Sequence, residues 1–193
     1  EDWGPKLTAE LKDLAFTDDA HPDVVGLWAE RAVDAGLMDA VADRLPELLV
    51  RSPEAGREGV LAYIRALVIA GKPIQGAVQK YSDILRAEDE SWARAGDLLV
   101  GGGNFALAAA WLADWREREQ IEAWMLRPLT VALRARDQDD KAVEVCRAAV
   151  RLGGPDEQLA DFRAWLALDL ALSGQAEEAA AQLARVDSVS VPD

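Results

Sequence analysis

The stretch from Trp92 to Arg118, WARAGDLLVGGGNFALAAAWLADWRER, constrains the fold more than any other part of the sequence. Apolar residues recur at helical spacing on both sides of a glycine run, with Leu98 and Leu99 before it and Phe105, Ala108, Trp111, Leu112 and Trp115 after it. Gly101, Gly102 and Gly103 oppose a continuous helix, because each glycine costs about 1 kcal/mol relative to alanine in a helix interior. The pattern predicts two amphipathic helices folded back to back across a tight turn. Neither can bury its apolar face alone, so other helices must pack against the pair.

The rest of the chain supplies them. With 50% hydrophobic and 29% charged residues, 193 residues suffice for one compact domain or one short solenoid. Ala and Leu crowd the sequence while β-branched runs of strand length are almost absent, which predicts an all-α fold. Pro5 suits a first helical turn, and Leu7, Leu11 and Leu14 then share a face, so residues 1–20 read as a leader with a capping helix from about Lys6 to Ala15. A helical repeat domain is expected over residues 21–190. Its helix pairs run over 22–35 and 38–50, 60–70 and 74–85, the anchor pair, 124–136 and 141–152, and 159–172 and 176–186. Breaks fall at Gly36, Gly71, Gly103, Asp137 to Asp139 and Ser173-Gly174, with Thr17 to Asp19 ending the leader helix and Pro53 closing the first pair. Pro128 lies four residues after Trp124, where its ring would clash with the carbonyl four back. That helix therefore starts late, near Leu126 or Arg127, or bends.

Spacing tests the pairing. Ala108 and Ala142, the small residues that let two helices approach closely, are 34 apart, Ala179 lies 37 further on, and Gly36, Gly71 and Gly103 are 35 and 32 apart. Trp92, Gly96, Gly103, Phe105 and Ala108 also fall where the tetratricopeptide helix-turn-helix wants Trp, Gly, Gly, an aromatic and Ala. Residues 22–186 thus resemble a tetratricopeptide repeat array, most clearly in the two central units. The resemblance implies a right-handed α-solenoid of about five helix pairs with a short N-terminal helix. It also implies a non-catalytic protein-interaction scaffold that holds a partner segment in a concave groove lined by the first helix of each pair.

By register, the groove face is Glu58, Leu61, Arg65, Val68 and Ile69, then Glu90, Ala93, Asp97 and Val100. Trp124, Arg127, Val131 and Arg134 follow, and then Asp161, Ala164 and Leu168. Glu58, Arg65, Asp97, Trp124, Arg127 and Arg134 are the expected partner-binding residues. Arginine and tryptophan most often dominate interface energetics and guanidinium forks match carboxylates, so the expected ligand is a protein or peptide segment, acidic in character. The clamp that some family members use for a terminal carboxylate needs Lys and Asn where this chain has Leu61, Arg65, Ala93 and Asp97. The arginines could instead pair with Glu58, Glu90, Asp97 and Asp161 across neighbouring repeats. The competing functional class is a helical regulatory or substrate-recruiting domain of a larger multidomain enzyme.

Other chemistry finds little support. A net charge of −14 opposes phosphate backbones and anionic membranes, so neither nucleic acid nor membrane insertion is expected. No apolar run approaches the roughly 20 residues of a spanning helix, and EDWGPKLTAE has no basic leader or apolar signal core. A soluble, cytoplasmic chain is the expectation, and a start without Met suggests a piece of a longer protein. His21 is the single histidine, so triad and multi-histidine metal chemistry cannot assemble, and it reads as a residue that opens the helix at Pro22. Cys146, the single cysteine, reads as a buried, inert thiol.

The glycine run lacks the Lys-Ser/Thr of a phosphate loop and reads as a helix cap. Asp137, Asp139 and Asp140 lack the glycine and closing Glu of a calcium loop. Asp18 and Asp19, and Glu88, Asp89 and Glu90, are solvated turn charge rather than paired catalytic carboxyls. No catalytic residue, metal or cofactor is expected, and the chain is not expected to be an enzyme. Trp111 and Trp115, four apart, are expected to stack on one helix face in the core, whereas Trp124 fits either the core or an exposed anchor.

Overall fold

A computed structural model describes residues 3–17, 19–51 and 56–187, so Asp18, Pro53 and the tail from 188, on which expected helix ends and turn charge were placed, lie outside the described residues. The described residues are helical, without a strand. The helices are α1 (Trp3–Ala15), α2 (Pro22–Asp34), α3 (Met38–Arg51), α4 (Gly56–Ile69), α5 (Gln75–Lys80), α6 (Ser82–Arg86), α7 (Asp89–Gly101), α8 (Phe105–Trp111), α9 (Arg127–Arg134), α10 (Asp139–Leu152), α11 (Asp156–Leu172) and α12 (Ala176–Asp187). Short 3-10 turns cover Trp115–Glu117 and Ala123–Leu126.

Of eight described residues with positive φ, Gly56, Gly153 and Gly154 lie outside the expected interhelical breaks, and the other five lie at them: Gly36 (φ 79°), Gly71 (65°), Gly103 (71°), Asp137 (55°) and Gly174 (77°), in steps of 35, 32, 34 and 37 residues. Four of them share one closing bond, in which the next residue's N–H reaches back across the helix end. Leu37 donates to the Ala32 carbonyl at 2.8 Å, Lys72 to Leu67 at 2.8 Å, Gln138 to Leu133 at 3.0 Å and Gln175 to Leu170 at 2.8 Å. This is the cap that satisfies orphan carbonyls and reverses the chain, and it needs positive φ at its pivot, which glycine adopts freely and Asp tolerates. The sequence marks the fourth pivot only as an acidic run.

The chain divides into two compact units, residues 1–102 and 103–193, with the boundary inside the glycine run. In unit 1, α2 packs on α1, α3 and α4, while α4 packs on α3, α6 and α7. Trp28, Leu45, Ile64, Leu85, Trp92 and Leu99 are among its largest fully buried side chains, and Phe16 meets Trp28 edge-on with ring centroids 5.0 Å apart. The helix expected over 74–85 is two helices, because the backbone turns at Tyr81 (φ −107°, ψ 19°). The turn buries the Tyr81 ring edge-on against Tyr63 at 6.3 Å and still delivers Leu85 to the core.

In unit 2, α8 packs on α9, α10 on α9 and α11, and α11 on α12, around Leu112, Leu126, Leu159 and Phe162. Pro128 lies in the first turn of α9, which begins at Arg127, and Trp124 stands before it in a 3-10 turn. Helix α8, expected to continue through Trp115, stops at Trp111, and Leu112 (φ −92°, ψ 5°) caps it. Trp111 and Trp115 therefore share no helical face. Trp111 is buried, while Trp115 is half-buried in the following turn with the Arg116 guanidinium 4.3 Å from its ring centroid. The helix ends before reaching the Trp115 indole.

Candidate functional site

Helices α2, α4 and α7 flank a cleft of about 220 Å³ within unit 1. Glu58, Leu61, Arg65 and Val68 line it from α4, Glu30 from α2, and Arg94, Asp97 and Leu98 from α7. Positions 58, 61, 65 and 68 form one helical stripe, so α4 presents a single mixed face to the opening. Its volume is below the roughly 300 Å³ of a small-molecule pocket and suits one or two inserted side chains.

Three of the residues expected to bind a partner, Glu58, Arg65 and Asp97, line this one cleft. Ala93 is wholly buried and Ile69, half exposed, stands outside the lining. The sequence reading missed Glu30 and Arg94. A signal for Arg94 exists, because it lies about one repeat after Glu58 and four residues after Glu90, and it pairs with both.

The charges within this cleft are unevenly matched. Arg65 Nη1 donates to Asp34 Oδ1 at 3.0 Å. Arg94 Nη1 donates to both Glu58 oxygens, at 3.3 and 3.0 Å, and stands 3.8 Å from Glu90. Arg57 pairs with Glu58 and Glu88. Glu30 and Asp97, both exposed, have no ion-pair partner among the described residues. The cations of the cleft are therefore neutralised and its surplus is acidic.

In unit 2, Arg127 Nε donates to Asp161 Oδ2 at 2.9 Å, the cross-repeat pair that the sequence alternative names. Arg134 pairs with Asp169, and its guanidinium lies 5.8 Å from the Trp165 ring centroid. Burial works against the Arg134 charge, but the Asp169 carboxylate outweighs it and raises the pKa further. Trp124 is half-buried, and its Nε1 donates to Glu122 Oε2 at 3.2 Å. Four arginine–carboxylate pairs, Arg65–Asp34, Arg94–Glu58, Arg127–Asp161 and Arg134–Asp169, thus join residues 31, 36, 34 and 35 apart in sequence. Every arginine proposed from sequence as a ligand contact already has a carboxylate about one repeat away.

Elsewhere the chemistry is structural. His21 Nδ1 accepts from the Asp23 N–H at 3.3 Å and so caps α2. Cys146 is fully buried, and burial raises its thiol pKa against an opposing pull from Arg134. Among the described residues no group of three or more His, Cys, Asp or Glu side chains could hold a metal ion, and no helix is long and apolar enough to cross a membrane. No protein-family model and no curated protein matches the chain.

Proposed function

We propose that residues 22–186 are an array of tetratricopeptide-like helix pairs acting as a non-catalytic scaffold, and that the α2–α4–α7 cleft holds a segment of a partner protein. The observation that carries this reading is the convergence of Glu58, Leu61, Arg65, Val68 and Asp97 on one opening. The grouping follows from the repeat register, and left-handed backbone at Gly36, Gly71 and Gly103, the glycines that define that register, is compatible with it.

The chemistry of the cleft sharpens the ligand. Leu61, Val68 and Leu98 offer an apolar strip, while Glu30 and Asp97 hold the unmatched charge. The acidic ligand expected from the arginines is disfavoured here, because Arg65 and Arg94 are already engaged. A segment placing a Lys or Arg beside an apolar side chain satisfies both features, with the apolar part supplying affinity and the charges supplying selection.

The test is affinity capture from the source-cell extract, quantified by mass spectrometry at two salt strengths. The wild type is compared with Glu30→Arg/Asp97→Arg and with Trp124→Ala/Arg127→Ala. The first double variant should lose the captured partners and the second should keep them. Capture of the same partners at the same salt strength by all three proteins would sink the assignment of this cleft.

A further inference from the structure

The turn that replaces the end of α8 opens a second cavity, of about 370 Å³, wholly within unit 2. Trp115, Arg116 and Arg118 form one side, and Ala148, Arg151 and Leu152 at the end of α10 form the other. Every ionisable side chain in its lining is an arginine, in a chain whose net charge is −14. Arg118 donates to Asp114 at 2.9 Å with only 12% of its side chain exposed, so that side of the opening is fixed.

Arg116 pairs with Glu144, which lines an adjoining cavity rather than this one. A guanidinium carries five N–H donors, so a single bond to Glu144 leaves others for a ligand. Arg151 is exposed and has no ion-pair partner among the described residues. Beside these cations lie apolar surfaces: the Trp115 ring, Ile121, and Leu152, which is 50% exposed.

We propose that this pocket binds a partner-protein segment in which a carboxylate side chain stands next to an apolar one. Arg116 and Arg151 take the carboxylate, and the apolar side chain lies against Trp115 and Leu152. Two features select this occupant. The unmatched charge is a guanidinium, whose planar fork suits a carboxylate, and the walls beside it are apolar, which a free inorganic anion would leave uncovered. The overall charge of −14 works against polyanions such as nucleic acid or an anionic membrane, whose many charges cannot all be met by one small basic pocket. The site lies in the other unit from the α2–α4–α7 cleft and does not rest on the function proposed for that cleft.

The experiment uses fluorescence anisotropy with a labelled peptide of core Leu-Asp-Glu-Leu and its near-isosteric counterpart Leu-Asn-Gln-Leu. The acidic peptide should bind saturably, with affinity lowered about tenfold or more by the neutral core and by Arg151→Glu, as expected for one charge-assisted hydrogen bond. Leu152→Ser should weaken both peptides. Arg147→Glu makes the same charge change on the same helix outside this lining and should leave affinity near the wild-type value. Circular dichroism and melting curves confirm that each exposed substitution leaves the fold intact. Absence of saturable binding, equal binding of the two peptides, or an equal loss in Arg147→Glu and Arg151→Glu would overturn the proposal.

Discussion

The α2–α4–α7 cleft and the Trp115 pocket arise in opposite ways. The first is a product of regularity: α4 and α7 each turn several residues, and α2 turns Glu30, toward one opening, and arginines find carboxylates 31 and 36 residues away. What remains unmatched there is acid, at Glu30 and Asp97. The second is a product of interruption: a helix ends at Trp111, an indole and two arginines occupy the turn that follows, and the unmatched charge is Arg151. The contrast shows that a net charge of −14 fixes no local sign, because ion pairing decides which charges a ligand can still meet. It also locates the departures from local rules where a site is most expected.

The largest expected effect tests the regular unit. Trp92 is fully buried, and Trp92→Ala should lower stability by about 3–5 kcal/mol in urea unfolding. Amide exchange should rise most in α4, α6 and α7, because stability in stacked helices is carried by neighbours. Phe162→Ala, in the core of unit 2, should instead raise exchange most in α10 and α11. A uniform rise from either variant would erase the distinction between the two regions.

The next prediction compares one position across the units. Ala142 and Gly76 both stand five residues after a left-handed pivot, Asp137 and Gly71 respectively. Ala142 is fully buried, so Ala142→Leu should overpack it at about 1–3 kcal/mol. Gly76 is exposed in α5 and a Cβ there would meet nothing within 4 Å, so Gly76→Ala should raise stability by about 0.5–1 kcal/mol. Equal signs in thermal melts would mean that the register assigned to one of the turns is wrong.

Much of this architecture was legible in the sequence because helical periodicity and glycine punctuation are local signals. Gly36, Gly71, Gly103 and Gly174 mark their turns directly, and Pro128 forecasts the late start of α9 through a clash within its own helix. The bend at Tyr81 was not legible, since it depends on a ring from a distant segment, Tyr63. The early end of α8 was not legible, because Phe105, Ala108, Trp111, Leu112 and Trp115 keep helical spacing past the point where the helix stops. At the site, Glu58, Arg65 and Asp97 line one opening, and the alternative that arginines pair with carboxylates holds for Arg127 and Asp161, but Asp34 and Asp169 as partners were not legible. Whether Arg65 is free for a ligand depends on Asp34, whose approach is tertiary.

Ion pairs provide the third comparison. Arg65 and Asp34 are 46% and 45% exposed, so Arg65→Ala should cost less than about 0.5 kcal/mol. Arg134 and Asp169 are 21% and 14% exposed, and removal of the guanidinium would strand a poorly hydrated carboxylate beside Trp165. Arg134→Ala should therefore cost about 1–2 kcal/mol. Unfolding at low and high salt separates them further, because screening should diminish the Arg65 effect more than the Arg134 effect.

The smallest effect distinguishes the units by alkaline pH. Burial raises the Cys146 thiol above its ordinary 9.0, with Arg134 opposing. Burial also raises Tyr63 above 10.0, with Tyr81 adding to it. In both cases the folded state holds its proton after the unfolded chain has released its own. The stabilising contribution is complete below the unfolded pKa and is lost as pH rises from there through the folded pKa. Cys146→Ala should lower stability by about 1 kcal/mol at neutral pH through lost packing. Because the variant lacks the titrating thiol, its deficit should shrink as pH passes 9.0, the lower of the two ordinary values. Tyr63→Phe in unit 1 should converge on the wild type only beyond 10.0. Urea unfolding across about pH 8 to 11 would therefore show unit 2 losing stability first. A deficit of Cys146→Ala that stayed constant over that range would mean the thiol is not desolvated as its position in α10 requires.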